Sequence, residues 1–491
     1  MKYLLGIDFG GGASKATLLS ENGEICATNT TEYPTLYPAP GYAEQNPSDW
    51  FDATVENIKA VVDKSGISPK DILCVSLDAA THTAVILDDN FNVIRPAIYW
   101  TDTRSTAQVQ YLKENYGEVI DRLVLHKPDT IWSLPELLWI KENEPENWSR
   151  VKKILFAKDY VRNRLTGDYV TDFIEAEGSM MFDINKMEWS EILCGILGIE
   201  TSMMPKIVDP SDTVGVVTEE AAKICGLAVG TPVLCGTTDT VMEVFASGAV
   251  EKGNMTLKLA TAGRICVITD KPYPDTNLIN YSHIVDGLFY PGTATKSCAA
   301  SYRWFRDTFG DDYKQLDTLA KDVPIGCQGL IFHPYLNGEL TPYANPKLCA
   351  DFVGVRAYHT KAHFARAVLE GVAMSMLDCR KTLDSMNILH DDCAAIIGGG
   401  GKSPLWRQMI SDALGIKLVE MKYADSSFGS AMLAGIASGI FKDAKDAVAR
   451  CNKVVSETIP NAENTLKYEQ LFKKYKAVQK ALEPIYNGEY L

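Results

Sequence analysis

The sequence lacks each of the short patterns that would settle its chemistry at a glance. Its twelve cysteines are scattered singly, with no CxxC pair and no Cys/His cluster. Neither a structural zinc site nor a disulfide framework is expected, and the cysteines read as reduced, mostly buried thiols. There is no GxxxxGK[ST], which excludes a P-loop. No apolar run approaches the length of a membrane span. Asp8 breaks the opening MKYLLGIDFG after a few apolar residues and no small-residue cleavage site follows, so no secretory signal is expected. The expectation is a cytoplasmic chain with no membrane partner. Basic residues are also in deficit: 48 Lys and Arg stand against 63 Asp and Glu, a formal net charge of −15. That argues against non-specific nucleic-acid binding. It does not argue against a nucleotide, because phosphates can be held by backbone N–H groups and a metal.

What is present points to an α/β chain with an internal repeat. A length of 491 residues exceeds what a single core supports, so two large domains are expected, 1–247 and 248–491. Strands are predicted over 3–9, 15–20 and 25–31, with Asn22-Gly23 as a hairpin turn. A helix is predicted over 47–64, where Trp50, Val55, Ile58 and Val62 fall in step. Strands over 73–77 and 83–87 follow, then helical stretches around 134–141 and 159–165, the second ending at Gly167. A strand over 233–235 runs into Gly236-Thr237-Thr238-Asp239 and a helix over 240–249. A strand over 255–259 then enters Thr261-Ala262-Gly263, and residues 264–269 return as a strand. Strand, small-residue turn and strand therefore occur twice, once opening each half. A third glycine site joins a strand over 394–397 to a helix over 404–414. An amphipathic helix over 361–386 precedes it, and the last twenty-odd residues read as a packing helix.

The candidate chemistry lies at these turns. Glycine lets backbone N–H groups approach a polyphosphate without a Cβ clash, although a hairpin also needs glycine. Asp8 sits inside an apolar strand just before Gly10-Gly11-Gly12, where an uncompensated carboxylate is expensive. It either hydrogen-bonds the following turn or holds Mg2+ through waters. Asp239 has two readings as well: an N-cap, or a general base for an attacking hydroxyl. Other nucleotide patterns fail. Asp8-Phe9-Gly10 spells a protein-kinase motif at the wrong end of the chain. Gly10 to Lys15 lacks the last glycine of GxGxxG and enters a strand.

With these residues in hand, the chain resembles the FGGY carbohydrate kinases of the actin-like ATPase superfamily, and most of all their xylulokinase branch. GIDFGGGASKATLL resembles the first phosphate motif and PAIYWTDTRS the substrate segment. KDYVRNRLTGDYVTD resembles the mid-domain segment. HPYLNGELTPY, HTKAHFARAVLEGVA and IIGGGGKSPLWRQMISDALG resemble the C-terminal signatures. The resemblance implies two actin-like (ribonuclease H-like) α/β domains with a cleft between them, the first for sugar and catalysis and the second for nucleotide. ATP and Mg2+ are the implied cofactors. Asp8 would serve metal and phosphates, and Asp239 would be the base. Gly10, Gly11, Gly12, Lys15, Thr261 and Gly263 would meet the phosphates, and Gly399, Gly400 and Ser403 the adenosine. His82, Trp100, Asp102, Arg104 and Thr240 would face the sugar.

The chain also departs from the family. Gly11 and Gly12 stand where hydroxyl residues are usual, and Thr240 stands where an amide usually follows the base. Ala80-Thr81-His82 replaces Gln-Met-His, and Ala260-Thr261-Ala262-Gly263 replaces Gly-Thr-Ser-Gly. Bland readings remain: His82 as a buried histidine, Trp100 as core, Asp102 and Arg104 as a local ion pair. The reaction implied is transfer of the ATP γ-phosphate to a hydroxyl of a small sugar or polyol, foremost a ketopentose such as xylulose. Glycerol, erythritol and other polyols compete as substrates. An actin-like ATPase switch and a catalytically weak sugar sensor are the rivals from other classes. Homodimers are common in the family.

Overall fold

The computed structural model describes residues 1–275 and 277–488. The chain forms two compact units. The first comprises Met1–Gly248 with two later excursions, Tyr281–Asp286 and Tyr423–Lys453; the second holds Ala249–Asn280, Gly287–Lys422 and the chain from Val454 onward. Among the described residues, no helix is long and apolar enough to cross a membrane.

The first unit is built on a sheet of β1 (Tyr3–Phe9), β2 (Ala13–Ser20), β3 (Ile25–Glu32), β4 (Ile72–Ala79), β5 (Thr213–Val216) and β6 (Pro232–Leu234). Their order is β5-β6-β4-β1-β2-β3, and a short β7 (Thr237–Thr238) also pairs with β4. Leu4, Leu5 and Ile7 of β1 are wholly buried, as suits a central strand covered on both faces. β1 pairs antiparallel with β2 and parallel with β4, which sets Asp8 level with Asp78. On the far side of β4, Thr237 of β7 is level with the same Asp78. The structure therefore carries β4 two residues past the predicted end at 77, through Asp78. The helix Pro47–Ser65 buries Trp50, Phe51, Ile58 and Val61 and ends at Gly66. The helix Ser426–Ala437, from the second excursion, lies so close to β1 that a Cβ on Gly6 would stand 1.9 Å from the Ser427 carbonyl oxygen.

The second unit repeats the arrangement. β8 (Met255–Leu259) pairs antiparallel with β9 (Gly263–Val267) and parallel with β11 (Cys393–Ile397). With β10 (Gly292–Thr295), β12 (Lys417–Met421) and β13 (Val454–Thr458), the order is β10-β9-β8-β11-β12-β13. A hairpin whose first strand also has a parallel partner thus opens both units, as the repeated turns suggested. The helix Lys361–Ser385 is more enclosed than the predicted amphipathic stripe: every residue from 365 to 379 is buried, including Arg366, Glu370 and Asp378. Arg366 and Glu370 satisfy each other at 2.8 Å, so charge could enter the covered face in pairs. The terminal helix is Ala462–Asn487; residues 489–491 of the predicted packing helix lie outside the described residues.

The approach at Gly6 makes a direct test. Gly6→Ala is expected to destabilise the protein by about 3 kcal/mol, because both clashing atoms are backbone. Gly10→Ala meets nothing within 4 Å and should leave stability close to wild type. Denaturant unfolding of the two variants separates the cases.

Candidate active site

Three carboxylates gather at the ends of the first unit's central strands. Asp8 is half-buried at the end of β1, and its Oδ1 has no hydrogen-bond partner among the described residues. Burial first, and then the charge of Asp239, push its carboxyl up to about 7. Hydrogen bonds from Asp78 and Ser426 act the other way. Asp78 is fully buried and receives the Ser430 hydroxyl on Oδ2 at 2.5 Å. Burial, followed by the charge of Asp8, holds Asp78 well above the usual carboxylate range. The sequence reading did not single out Asp78. Its only signal was that an aspartate follows an apolar run at the same offset from its strand as Asp8 does from its own.

The glycine turn after Asp8 is held from behind by its carbonyls. Tyr33 Oη donates to Gly10 O at 2.6 Å, Gln45 Nε2 to Gly11 O at 2.9 Å, and the Tyr33 amide to Gly12 O at 3.0 Å. A trans peptide is planar, so a carbonyl and the N–H of the next residue point in opposite directions. Anchoring these three carbonyls turns the N–H groups of Gly11, Gly12 and Ala13 away from Tyr33 and Gln45, as an anion cradle requires. A side chain at Gly11 would place its Cβ 2.7 Å from Tyr99 Oη, so Tyr99 would have to shift to admit one. Nothing in the structure explains Gly12. Lys15 faces Asp8 across the ladder, but its ammonium pairs with Asp425 at 3.1 Å.

Asp239 is placed by a buried network. It is the first residue of the helix Asp239–Ala246, and Thr238 occupies the N-cap position. Thr240 Oγ1 donates to Asp239 Oδ1 at 3.1 Å. Upstream, Gly236 has φ +69° and sits where a Cβ would meet the Leu77 carbonyl oxygen at 1.9 Å, so both its conformation and its space demand glycine. Arg162 holds the Cys235 carbonyl at 2.6 Å. Thr237 donates to Asp172 Oδ1 at 2.8 Å, and Asp172 also caps the helix Phe173–Gly178. Lys158, fully buried, forms ion pairs with Asp159 at 2.5 Å and Asp172 at 2.8 Å. Burial disfavours its charge, but these two carboxylates outweigh that and hold its ammonium above the ordinary lysine range.

The residues expected at the sugar fall into three places. His82 is buried, with a left-handed φ of +65°. Such a backbone costs roughly 1–3 kcal/mol and persists only where its surroundings over-determine it. Here Glu175 accepts the His82 amide at 2.6 Å, Ser133 donates to its carbonyl, and Tyr281 Oη meets its Nε2 at 2.7 Å. Trp132 and His126 complete the ring cluster. A Cβ on Gly178 would overlap the His82 ring. Trp100, by contrast, is 43% exposed. Asp102 and Arg104 form a buried forked pair, and Arg104 also bonds Glu44 at 2.7 Å and lies 3.8 Å over the Tyr42 ring. That pair latches the 42–45 loop to the substrate-like segment.

The second unit contributes a cavity of about 780 Å3 lined by Thr261, Gly399, Gly400 and Ser403. Four of the residues expected at the nucleotide therefore share one wall system. Gly263 is not among the lining; it packs where a Cβ would meet Met376 and Thr295. The turn at 260–262 follows the same rule as its counterpart in the first unit. Ala299 N donates to Ala260 O at 2.8 Å, and Cys298 N to Thr261 O at 3.0 Å. The start of the helix Ala299–Phe309 thus satisfies its own donors and turns the N–H groups of Thr261 and Ala262 the opposite way. Sequence reasoning did not find Asp317, Tyr302 and Tyr313 in this lining.

The raised Asp8 carboxyl carries a stability consequence. Its folded pKa of about 7 lies above its ordinary 3.8, so between these values the native state holds the proton and the unfolded state has lost it. Stability therefore falls as pH rises through that window. In buffer free of metal and nucleotide, Asp8→Asn should melt above wild type at pH 8, the gap closing toward about pH 4. Equal melting temperatures at pH 8 would show that Asp8 is not strained by its charge.

Comparison with known proteins places the geometry. The FGGY family of carbohydrate kinases, N-terminal domain, matches residues 3–246, and its C-terminal domain matches 264–438. Xylulose kinase from Bacillus subtilis (strain 168) is 32% identical over 484 residues, 97% of each chain. The crystal structure of ligand-bound xylulose kinase from Lactobacillus acidophilus superposes with a TM-score of 0.93 at 27% identity, covering 99% of this chain and 100% of that one. Gluconate kinase from Lactobacillus acidophilus gives the same TM-score and identity over 99% of both chains. The two-domain, actin-like α/β fold implied by the sequence is thus the fold present. The chain belongs to the FGGY family of carbohydrate kinases and is an ATP-using phosphotransferase that acts on a carbohydrate hydroxyl.

Proposed function

We propose that the chain phosphorylates an uncharged ketopentose, with xylulose the first candidate, and that Asp239 takes the proton of the attacked hydroxyl. The observation that carries this reading is the grouping of Asp239 with Asp8 beside an N–H-lined glycine turn. Relatives named for xylulose and for gluconate differ in substrate charge, and the electrostatics favour the neutral one. Lys15 opposite Asp8, Arg104 of the substrate-like segment, and Lys158 and Arg162 of the network behind Asp239 each engage a carboxylate. A sugar acid needs a cation to pair with its carboxylate, and it would also be repelled by Asp8 and Asp239. A neutral polyhydroxy compound needs neither.

The residues would share the work as follows. Thr240 orients the Asp239 carboxylate, which accepts the hydroxyl proton as the oxygen attacks phosphorus. The turn amides at Gly11, Gly12 and Ala13 bind phosphate oxygens in place of the missing hydroxyl side chains. The nucleotide assignment of Thr261, Gly399, Gly400 and Ser403 is supported by the second-unit cavity that they line. Asp8, with its unpartnered Oδ1, fits a magnesium ion held through waters and phosphate oxygens. Among the described residues, no three His, Cys, Asp or Glu side chains are placed so that they could hold a metal ion by themselves. When bound, magnesium supplies charge neutralisation at the polyphosphate. Every cysteine is free of disulfide bonds, in keeping with work in the cytoplasm.

Kinetics with D-xylulose in a coupled ADP-release assay test the assignment. Asp239→Asn should lower kcat by roughly 10^2–10^4, with unfolding unchanged; a kcat near wild type removes Asp239 as the base. Across a panel of pentuloses, glycerol, erythritol and gluconate, kcat/KM should be higher for a neutral compound. Gluconate as the best substrate overturns the charge argument and leaves the base assignment standing. Tyr33→Phe should raise KM for ATP several-fold and spare KM for the sugar, since it frees the Gly10 carbonyl; an unchanged KM for ATP shows that the cradle does not depend on that anchor.

A further inference from the structure

The second-unit cavity contains a carboxylate acceptor. Asp317, from the helix Tyr313–Lys321, lines it together with Tyr302 and Ser403. Tyr302 Oη donates to Asp317 Oδ1 at 2.8 Å, and Ser403 Oγ donates to Asp317 Oδ2 at 2.6 Å. The Ser403 hydroxyl is already employed twice, because it also accepts the Trp406 amide at 3.2 Å as an N-cap. Tyr302 is buried, and its ring stacks toward Trp406 and Tyr313. Both hydroxyls therefore point their protons at Asp317 and hold its carboxylate in one orientation. An ionised carboxylate offers about four acceptor positions and no donor, so two remain for a ligand.

The ligand chemistry follows from that asymmetry. The wall at Asp317 can only accept, so it selects a ligand that donates. A nucleoside triphosphate seated with its phosphates at the 260–262 turn has two such donors: its ribose hydroxyls and, in adenine, the 6-amino group. Guanine and hypoxanthine present a 6-oxo acceptor instead, which a carboxylate repels. We infer that Asp317 is the specificity-determining residue of the nucleotide cavity, accepting a hydrogen bond from a donor on the nucleoside and excluding nucleosides that present an acceptor there. This rests on the reading of the cavity as the nucleotide site.

The test compares ATP, 2′-deoxyATP, ITP and GTP as phosphoryl donors in wild type, Asp317→Ala, Asp317→Asn and Thr318→Trp, with sugar saturating. A hydrogen bond to a charged group corresponds to roughly tenfold or more in affinity. Wild type should therefore prefer ATP about tenfold in kcat/KM over 2′-deoxyATP if the donor is a ribose hydroxyl, or over ITP if it is the base amine. Asp317→Ala should erase that ratio by raising KM for ATP, while kcat and KM for the sugar hold. Asp317→Asn keeps an acceptor and adds a donor, so it should narrow the ATP to GTP ratio and serves as the variant least disturbing to the fold. An unchanged donor ratio in both Asp317 variants overturns the inference. Thr318 is exposed on the same wall, and Thr318→Trp fills the cavity without touching Asp317. If it raises KM for ATP while the Asp317 variants do not, the cavity holds nucleotide and Asp317 is not its reader. If no variant moves KM for ATP, the cavity is not the nucleotide site, and the inference fails together with that reading.

Discussion

The first unit depends on one buried cation. Lys158 has no solvent contact and is balanced by Asp159 and Asp172. Asp172 in turn receives Thr237, two residues before the base candidate Asp239, and caps the helix that carries Glu175, the residue holding the His82 amide. One ion pair thus sets the strand that delivers Asp239 and the helix that supports the ring cluster. Removing one partner of such a pair leaves an uncompensated charge and typically costs about 3–5 kcal/mol, far more than the net worth of the pair itself. Its value here is geometric: Asp172 cannot satisfy Lys158, Thr237 and the helix amides at once unless the three elements meet in one arrangement.

That rigidity permits an arrangement the carboxylates would not choose. Asp8 and Asp78 stand level on adjacent parallel strands, and Thr237 stands level with Asp78 on the next. β4 therefore sets the spacing between Asp8 and the strand that leads to Asp239, one strand away on either side. Burial and then the nearness of like charge raise the carboxyls of both Asp8 and Asp78. The cost is carried by the sheet and by the Ser426–Ala437 helix, whose backbone reaches Gly6 of β1 and whose Ser430 reaches Asp78. A site that stores repulsion needs such support, since charge density useful to a polyphosphate and its counter-ion is a burden to the empty protein.

Much of this was legible in the sequence, and what was not had a physical reason. The repeated strand-turn-strand was visible because small residues at a turn leave a composition signal, and both copies have the pairing expected. Asp8 stood out because a carboxylate in an apolar strand has to be explained. Asp78 escaped because an aspartate at the end of an apolar run reads as the end of the strand, whereas tertiary pairing on both sides carries β4 through it. Tyr33 and Gln45 could not be found, since their role is to bind carbonyls 23 and 34 residues away and nothing local marks it. Asp317 lies on a helix whose neighbours Lys314 and Thr318 are exposed, the pattern of an ordinary solvated face. For Asp239, the rival N-cap reading loses its footing because Thr238 takes that position. For Asp102 and Arg104, the local ion pair considered at the outset is present, though buried and forked rather than exposed.

The glycines that replace the usual hydroxyl residues then have a consistent account at Gly11. A hydroxyl side chain there would contribute one donor to a phosphate, but its Cβ would collide with Tyr99, whose neighbour Trp100 opens the substrate-like segment. The chain has Tyr99 against the turn and no side chain. What it loses in a flexible donor it recovers in fixed ones, because anchoring the three turn carbonyls through Tyr33 and Gln45 orients three backbone N–H groups at once. Backbone donors bring no rotamer entropy to lose when phosphate arrives. On the proposed reading of this turn as a phosphate cradle, the departure from the family pattern is a shift from side-chain to main-chain donors. The second turn, which keeps a hydroxyl at Thr261, has its carbonyls anchored by the first amides of a helix in place of a tyrosine and a glutamine.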